Sequence, residues 1–149
     1  MSASDRATKV RTGSCLCKTV KYTVVGDPLT FRVCHCYNCK KASGSAFMTN
    51  VFFTEDKLHI VEGEEKLNVY HDKETSSGNI LSRYFCSQCG SNVFLQSSDK
   101  LAVARKIRII AAGTLDEDFD WVPKTQLWPE LKSHFVHGIE TTKKDKPKL

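Results

Sequence analysis

The stretch Val33-Cys34-His35-Cys36-Tyr37-Asn38-Cys39-Lys40 places three cysteines within six residues. Thiolate is the metal-binding form of cysteine, and zinc favours sulfur and nitrogen ligands in tetrahedral geometry. Cys36 and Cys39 have the C-x-x-C spacing that wraps one turn of backbone around a single ion, and Cys34 reaches the same ion from the end of a preceding strand. Side chains on an extended chain alternate, so Cys34 and Cys36 share a side and His35 faces away. Three ligands leave one tetrahedral corner open, as in catalytic rather than structural zinc sites. If His35 nevertheless closes the set, the site is structural.

The remaining four cysteines are Cys15 and Cys17, spaced C-x-C, and Cys86 and Cys89, spaced C-x-x-C. Two such knuckles make one closed tetrahedral set. The seven cysteines thus divide as four plus three. The four predict a structural zinc on Cys15, Cys17, Cys86 and Cys89, and the three predict a catalytic zinc on Cys34, Cys36 and Cys39. An odd number of cysteines at metal spacing argues against a disulfide framework.

The chain has 149 residues and a formal net charge of +5, which is enough for one domain. The basicity is terminal. Residues 1–11 carry Arg6, Lys9 and Arg11 against Asp5, and residues 143–149 carry four lysines against Asp145. The residues between balance, with 15 charges of each sign. That distribution argues against a nucleic-acid footprint on the domain. No apolar run is long enough to span a bilayer, and no apolar signal region opens the chain. A cytoplasmic protein with reduced thiols is expected. The C-terminal Pro147-Lys148-Leu149 is a weak variant of a peroxisomal address, and the basic tails leave nuclear residence as a second minor alternative.

Residues 1–11 read as a disordered arm, 12–138 as the domain, and 139–149 as a basic tail. Gly13 is read as permitting a tight turn before Cys15. Val20, Tyr22 and Val24 alternate with polar residues, which predicts a strand. Leu29 to Val33 forms a second strand that delivers Cys34, and Tyr37 to Ser43 a short helical turn ended by Gly44. Ala46 to Phe53 reads as a strand, and Leu58 to Glu62 with Lys66 to His71 as a hairpin. Further strands are expected at Ile80 to Phe85, Asn92 to Gln96, Lys106 to Ala112 and Gln126 to Trp128. Ser97 to Lys100 reads as a loop. The result is an all-β domain of short antiparallel strands stapled by the four-cysteine zinc. Such a zinc contributes on the order of 10 kcal/mol to folding.

The sequence resembles the glutathione-dependent formaldehyde-activating enzymes, a family that includes the centromere protein V relatives. The matching residues are Gly13-Ser14-Cys15-Leu16-Cys17, the Cys34 to Lys41 stretch with Gly44 and Phe47, Phe85-Cys86-Ser87-Gln88-Cys89-Gly90, Ala112-Gly113-Thr114-Leu115-Asp116 and Gln126-Leu127-Trp128. The resemblance implies a β-tent fold, two zinc ions and glutathione as thiol co-substrate. The family often carries a histidine where Gln126 stands.

A small-molecule thiol or thiol adduct is therefore the expected partner, with no membrane partner and no specified oligomeric state. The expected activity is that of a carbon–sulfur lyase acting on a glutathione adduct such as S-hydroxymethylglutathione. The alternative is a non-catalytic zinc-stapled binding module associated with chromatin or cytoskeleton. Lys40 and Lys41 are candidates for pairing glutathione carboxylates. His35 and Tyr37 are proton-transfer candidates by proximity alone. Phe47, Phe52, Phe53, Trp121 and Trp128 are either pocket walls or core. His59, His71, His134 and His137 read as surface or core residues.

Overall fold

The computed structural model describes residues 3–142. Chain order is α1 (Ala3–Thr8), β1 (Val10–Ser14), β2 (Lys21–Val25), β3 (Thr30–Cys34), α2 (Tyr37–Ser43), β4 (Met48–Thr54), β5 (Leu58–Glu62), β6 (Leu67–Asp72), β7 (Leu81–Cys86), β8 (Asn92–Ser97), α3 (Lys100–Ala104), β9 (Ile107–Ala111) and β10 (Thr125–Leu127). The fold is mostly β, as the alternation predicts. A three-stranded sheet has the order β1-β2-β5, and a seven-stranded sheet has the order β10-β3-β4-β9-β8-β7-β6. All pairs are antiparallel except β10 with β3.

The main core is built from both sheets. Val20, Tyr22 and Val24 come from in and beside β2 and are fully buried. They cluster with Phe31, Val51, Phe53, Val93, Phe94 and Ile110 of the large sheet. Strand alternation then sends the intervening residues to the opposite face. Met48 and Phe52 of β4 join Leu95, Ile107, Ile109, Ala111 and Leu127 in a second cluster, which contains Cys34, Cys36 and Cys39. The large sheet is thus covered on one face by the small sheet and carries the three-cysteine loop on the other.

Gly13 sits in mid-strand opposite Tyr22, not at a left-handed turn. The Tyr22 ring lies across it, and a Cβ there would meet Tyr22 Cζ at 2.1 Å. The glycine is needed for space. The Tyr22 hydroxyl ends 2.7 Å from Thr114 Oγ1.

Three other expectations differ from the structure. Residues 3–11 are not a disordered arm but form α1 and the start of β1. Their cations find partners: Arg6 Nη2 is 2.8 Å from Asp120, while Arg11 is buried, donates to the Gly26 carbonyl and lies 4.3 Å from the Trp121 ring. Leu58–Glu62 and Leu67–Asp72 do not form a hairpin with each other. β5 pairs with β2 and β6 with β7, so the turn at residues 63–66 carries the chain from one sheet to the other. Residues 100–104 form a short helix whose start is capped by Asp99 Oδ1, which accepts from Leu101 and Ala102 N–H groups. The lysine-rich residues 143–149, including Pro147-Lys148-Leu149, lie outside the described residues. Among the described residues, no helix is long and apolar enough to cross a membrane.

Candidate metal centres and active site

The two cysteine knuckles meet. Cys15 and Cys17 lie in the β1–β2 connection of the small sheet, while Cys86 ends β7 of the large sheet and Cys89 lies in the β7–β8 connection. All four Sγ atoms lie within 4.8 Å of one another. The Cys15–Cys17 sulfurs are 3.5 Å apart and the Cys17–Cys86 sulfurs 3.8 Å. A tetrahedron with zinc–sulfur bonds of about 2.3 Å has edges of about 3.8 Å, so these dimensions fit that ion. No cysteine among the described residues is in a disulfide.

Each knuckle closes with a left-handed residue after its second cysteine, Lys18 at φ 60° and Gly90 at φ 74°. The turns aim backbone N–H groups at sulfur: Val20 N is 3.3 Å from Cys15 Sγ and Gln88 N is 3.4 Å from Cys86 Sγ. Burial pushes the Cys15 thiol up to about 11, and the Thr19 hydroxyl lowers Cys17. Side chains link the knuckles as well, with the Leu16 N–H donating to Ser91 Oγ and Thr19 Oγ1 to Gln88 Oε1.

The second cluster is local. Cys34 ends β3, Cys36 caps the N-terminus of α2, and Cys39 lies in its first turn, its N–H 3.4 Å from Cys36 Sγ. The three Sγ atoms are mutually within 4.8 Å, and all three residues are buried. Hydrogen bonds from Cys34 and Cys39 depress Cys36 to about 2, while Cys34 is raised by its hydrogen bonds to Cys36 and Cys39 and by burial. Among the described residues, no further histidine, cysteine or carboxylate joins the three.

This cluster opens on a cavity of about 500 Å³ over the outer face of the large sheet. Its walls include Leu95, Ile107, Ile109, Leu127, Phe52 and Trp128. Polar residues are set among them. Arg83 is buried, with Nε and Nη2 at 3.0 and 2.9 Å from Asp72 Oδ2. Asn38 of α2 donates to Asp72 Oδ1 at 2.9 Å, which ties the cysteine loop to β6 and β7. The Arg83 charge contributes to lowering Cys36. Thr30, Arg32 and Asn50 also line the cavity.

His35 is fully buried but does not join the cysteines. Its Nε2 lies 2.7 Å from Gln126 Oε1, and its backbone N–H donates to the Leu127 carbonyl. The two residues hold β10 against β3, and neither lines the cavity. Tyr37 is exposed, with Lys40 Nζ 5.2 Å from its ring. Lys40 Nζ donates to the Leu131 carbonyl at 2.6 Å, and Lys41 borders a separate shallow depression beside Asp72 and Tyr70. Neither lysine lines the cavity. Of the aromatic candidates, Phe52 and Trp128 do, whereas Phe53 and Trp121 pack together in the core and Phe47 packs on His35. The other four histidines are exposed. The sequence reading passed over Arg32, Asn50, Thr30 and Arg83. Its available signal was the alternation that puts Thr30, Arg32 and Cys34 on one face of β3.

The chain is mostly β, with one inter-sheet cluster of four cysteines and a second cluster of three beside a cavity, both with dimensions that could hold a metal ion. The sequence profile of the family described as "Glutathione-dependent formaldehyde-activating enzyme" matches residues 10–130, and the chain belongs to that family. A Talaromyces marneffei protein that bears the provisional name of a glutathione-dependent formaldehyde-activating enzyme is 29% identical over 80 residues, covering 54% of this chain and 40% of the relative. The chain thus matches less than half the length of that relative. A crystal structure of a Rhodobacter sphaeroides protein shares the fold, with a TM-score of 0.55 and 19% identity over 73% of this chain and 91% of that one.

Proposed function

We propose that the chain is a zinc-dependent carbon–sulfur lyase or synthase of the S-(hydroxymethyl)glutathione synthase type, acting on a glutathione adduct. The observation that carries this reading is the three-thiolate cluster on the wall of a cavity of ligand size, with no fourth protein ligand among the described residues. A closed four-ligand set would favour the binding-module alternative.

Cys34, Cys36 and Cys39 would hold the second zinc, and Cys15, Cys17, Cys86 and Cys89 the structural one. A bound zinc supplies a site at which an incoming thiol is held as its thiolate. The chain's own residues do the rest. The apolar floor of Leu95, Ile109 and Phe52 excludes water, which strengthens polar contacts inside. Arg83, held by Asp72, keeps positive charge next to a cluster that gathers negative charge. In the synthetic direction the sulfur lone pair forms the carbon–sulfur bond, and the carbonyl π pair moves to oxygen. The proton lost by the thiol ends on that oxygen. The reverse breaks the same bond and returns the aldehyde and thiol. Asp99, the carboxylate on the cavity rim, is already occupied in capping α3.

The test is calorimetric binding of glutathione against S-methylglutathione, with zinc content measured on the same sample. S-Methylglutathione cannot form a thiolate and should bind far more weakly. Equal affinities would overturn the assignment of the sulfur to the three-cysteine site.

A further inference from the structure

Beside Cys34, residues that line the cavity carry buried polar atoms that the fold leaves without partners. Arg32 Nε, Asn50 Oδ1 and Thr30 Oγ1 are buried and make no hydrogen bond. All three residues line the cavity. Asn50 is 5% exposed. Buried polar groups are almost always satisfied, so a row of orphans in a cavity points to a ligand that satisfies them.

The guanidinium of Arg32 stands out among the arginines. Arg6, Arg11, Arg83 and Arg108 each have a carboxylate within 4.0 Å, and Arg105, which also lines the cavity without one, is exposed, whereas Arg32 is half-buried. Arg32 pairs with no carboxylate among the described residues, and its Cζ lies 5.4 Å from the Phe52 ring, which steadies the plane. A planar fork with nothing to grip is suited to a carboxylate.

The sheet fixes the spacing. Arg32 and Cys34 are two residues apart on one face of β3, about 7 Å along the strand at roughly 3.3 Å per residue. Asn50 lies directly opposite Arg32 on β4. Asn50 Oδ1 is an acceptor, so it asks for a donor. The ligand therefore presents a thiol, then a donor N–H, then a carboxylate, over about the length of one residue. A peptide whose cysteine is followed by a C-terminal glycine does this. Its amide N–H reaches Asn50 and its terminal carboxylate reaches Arg32.

Resting on the thiol-binding reading above, we propose that Arg32 and Asn50 form a subsite that reads the cysteinyl-glycine end of the thiol substrate. The glycyl carboxylate, not the γ-glutamyl one, is the anion recognised beside Cys34. The role considered for Lys40 and Lys41 then passes, for this end of the substrate, to Arg32.

The test is calorimetry on the full zinc-loaded chain with glutathione and its glycyl monoethyl ester. The ester keeps the thiol and the amide N–H but loses the charge. The wild-type chain should bind the ester roughly tenfold to hundredfold more weakly, the range for a charge-assisted hydrogen bond. Arg32→Met should bind both alike, at the wild-type level for the ester. Arg32→Lys, which keeps charge without the fork, should discriminate partially. Ester binding as tight as glutathione on the wild-type chain, or undiminished discrimination by Arg32→Met, would overturn the subsite. Should Arg32→Met not fold, the wild-type comparison and Arg32→Lys still decide. The S-methyl comparison reports on the sulfur alone, so the two readings fail separately.

Discussion

Replacing Cys86 and Cys36 separately by serine tests the division of the cysteines into a staple and a working site. Cys86 is fully buried, and its Sγ lies 3.8 Å from that of Cys17, 69 residues away in sequence. The pair joins the small sheet to the large one. By the chain-entropy argument used for cross-links, closing a loop of that length restricts the unfolded chain by about 4 kcal/mol. Metal–thiolate bonding adds to this, and structural zinc sites contribute on the order of 10 kcal/mol in all. Whole domains are stable by only ~5–15 kcal/mol. Cys86→Ser should therefore unfold the chain or lower Tm by more than about 10 °C, given ~2–4 °C per kcal/mol at this size. Cys36 belongs to a cluster within six residues of one loop, where the same entropy is only ~2 kcal/mol. Serine also replaces it well as the α2 N-cap. Cys36→Ser should keep Tm within about 8 °C while losing thiol binding. Circular dichroism melts of the two variants, with zinc content on each, measure the difference. Equal losses of Tm would refute the four-plus-three division.

Three other perturbations have defined outcomes. Gly13→Ala drives a methyl into the Tyr22 ring, so it should cost about 3 kcal/mol in urea unfolding, the upper end of the usual penalty for overpacking. Asp72→Asn leaves Arg83 buried without its anion and should cost roughly 3–5 kcal/mol by the same measurement. Chelator titration followed by metal analysis should remove the three-cysteine ion before the four-cysteine ion. Both should leave more readily as pH falls, because every sulfur ligand must take back a proton; simultaneous loss with unfolding at any pH would contradict two classes of site.

Local chemistry was readable from residues alone. The 2-residue alternation of Val20, Tyr22 and Val24 marks a buried face, and the structure buries all three. The capping glycine at Gly44 and the helical turn before it follow from local backbone rules, and Gly44 is left-handed at φ 63°. What failed was partner choice. Leu58–Glu62 and Leu67–Asp72 are neighbours in sequence with a glycine between them, which is the hairpin pattern. Yet β5 completes the small sheet and β6 the edge of the large one, since each finds an unpaired strand elsewhere. The N-terminal residues failed for a related reason. Arg6 and Arg11 look like solvated charge until Asp27, Asp120 and Trp121 are brought to them from more than 15 residues away.

The same limit explains the cations of the candidate site. Lys40 and Lys41 were attractive because they follow Cys39 in sequence, but α2 turns both away from the cavity. Lys40 ends on the Leu131 carbonyl, and Lys41 lies over the depression on the other side of the helix. Helical neighbours of a ligand rotate about 100° per residue and leave its face at once. Strand neighbours return to it every second residue. Arg32 precedes Cys34 by two on β3, so it shares the face of the thiolate by geometry alone. Near a metal ligand, the secondary structure on each side therefore decides which adjacent side chains can touch a substrate: i−2 on the strand side, and i+3 or i+4 on the helix side. Here the strand side carries a guanidinium without an anion. The helix side of Cys36 carries Cys39, the third sulfur itself, and then Lys40, whose ammonium is already engaged.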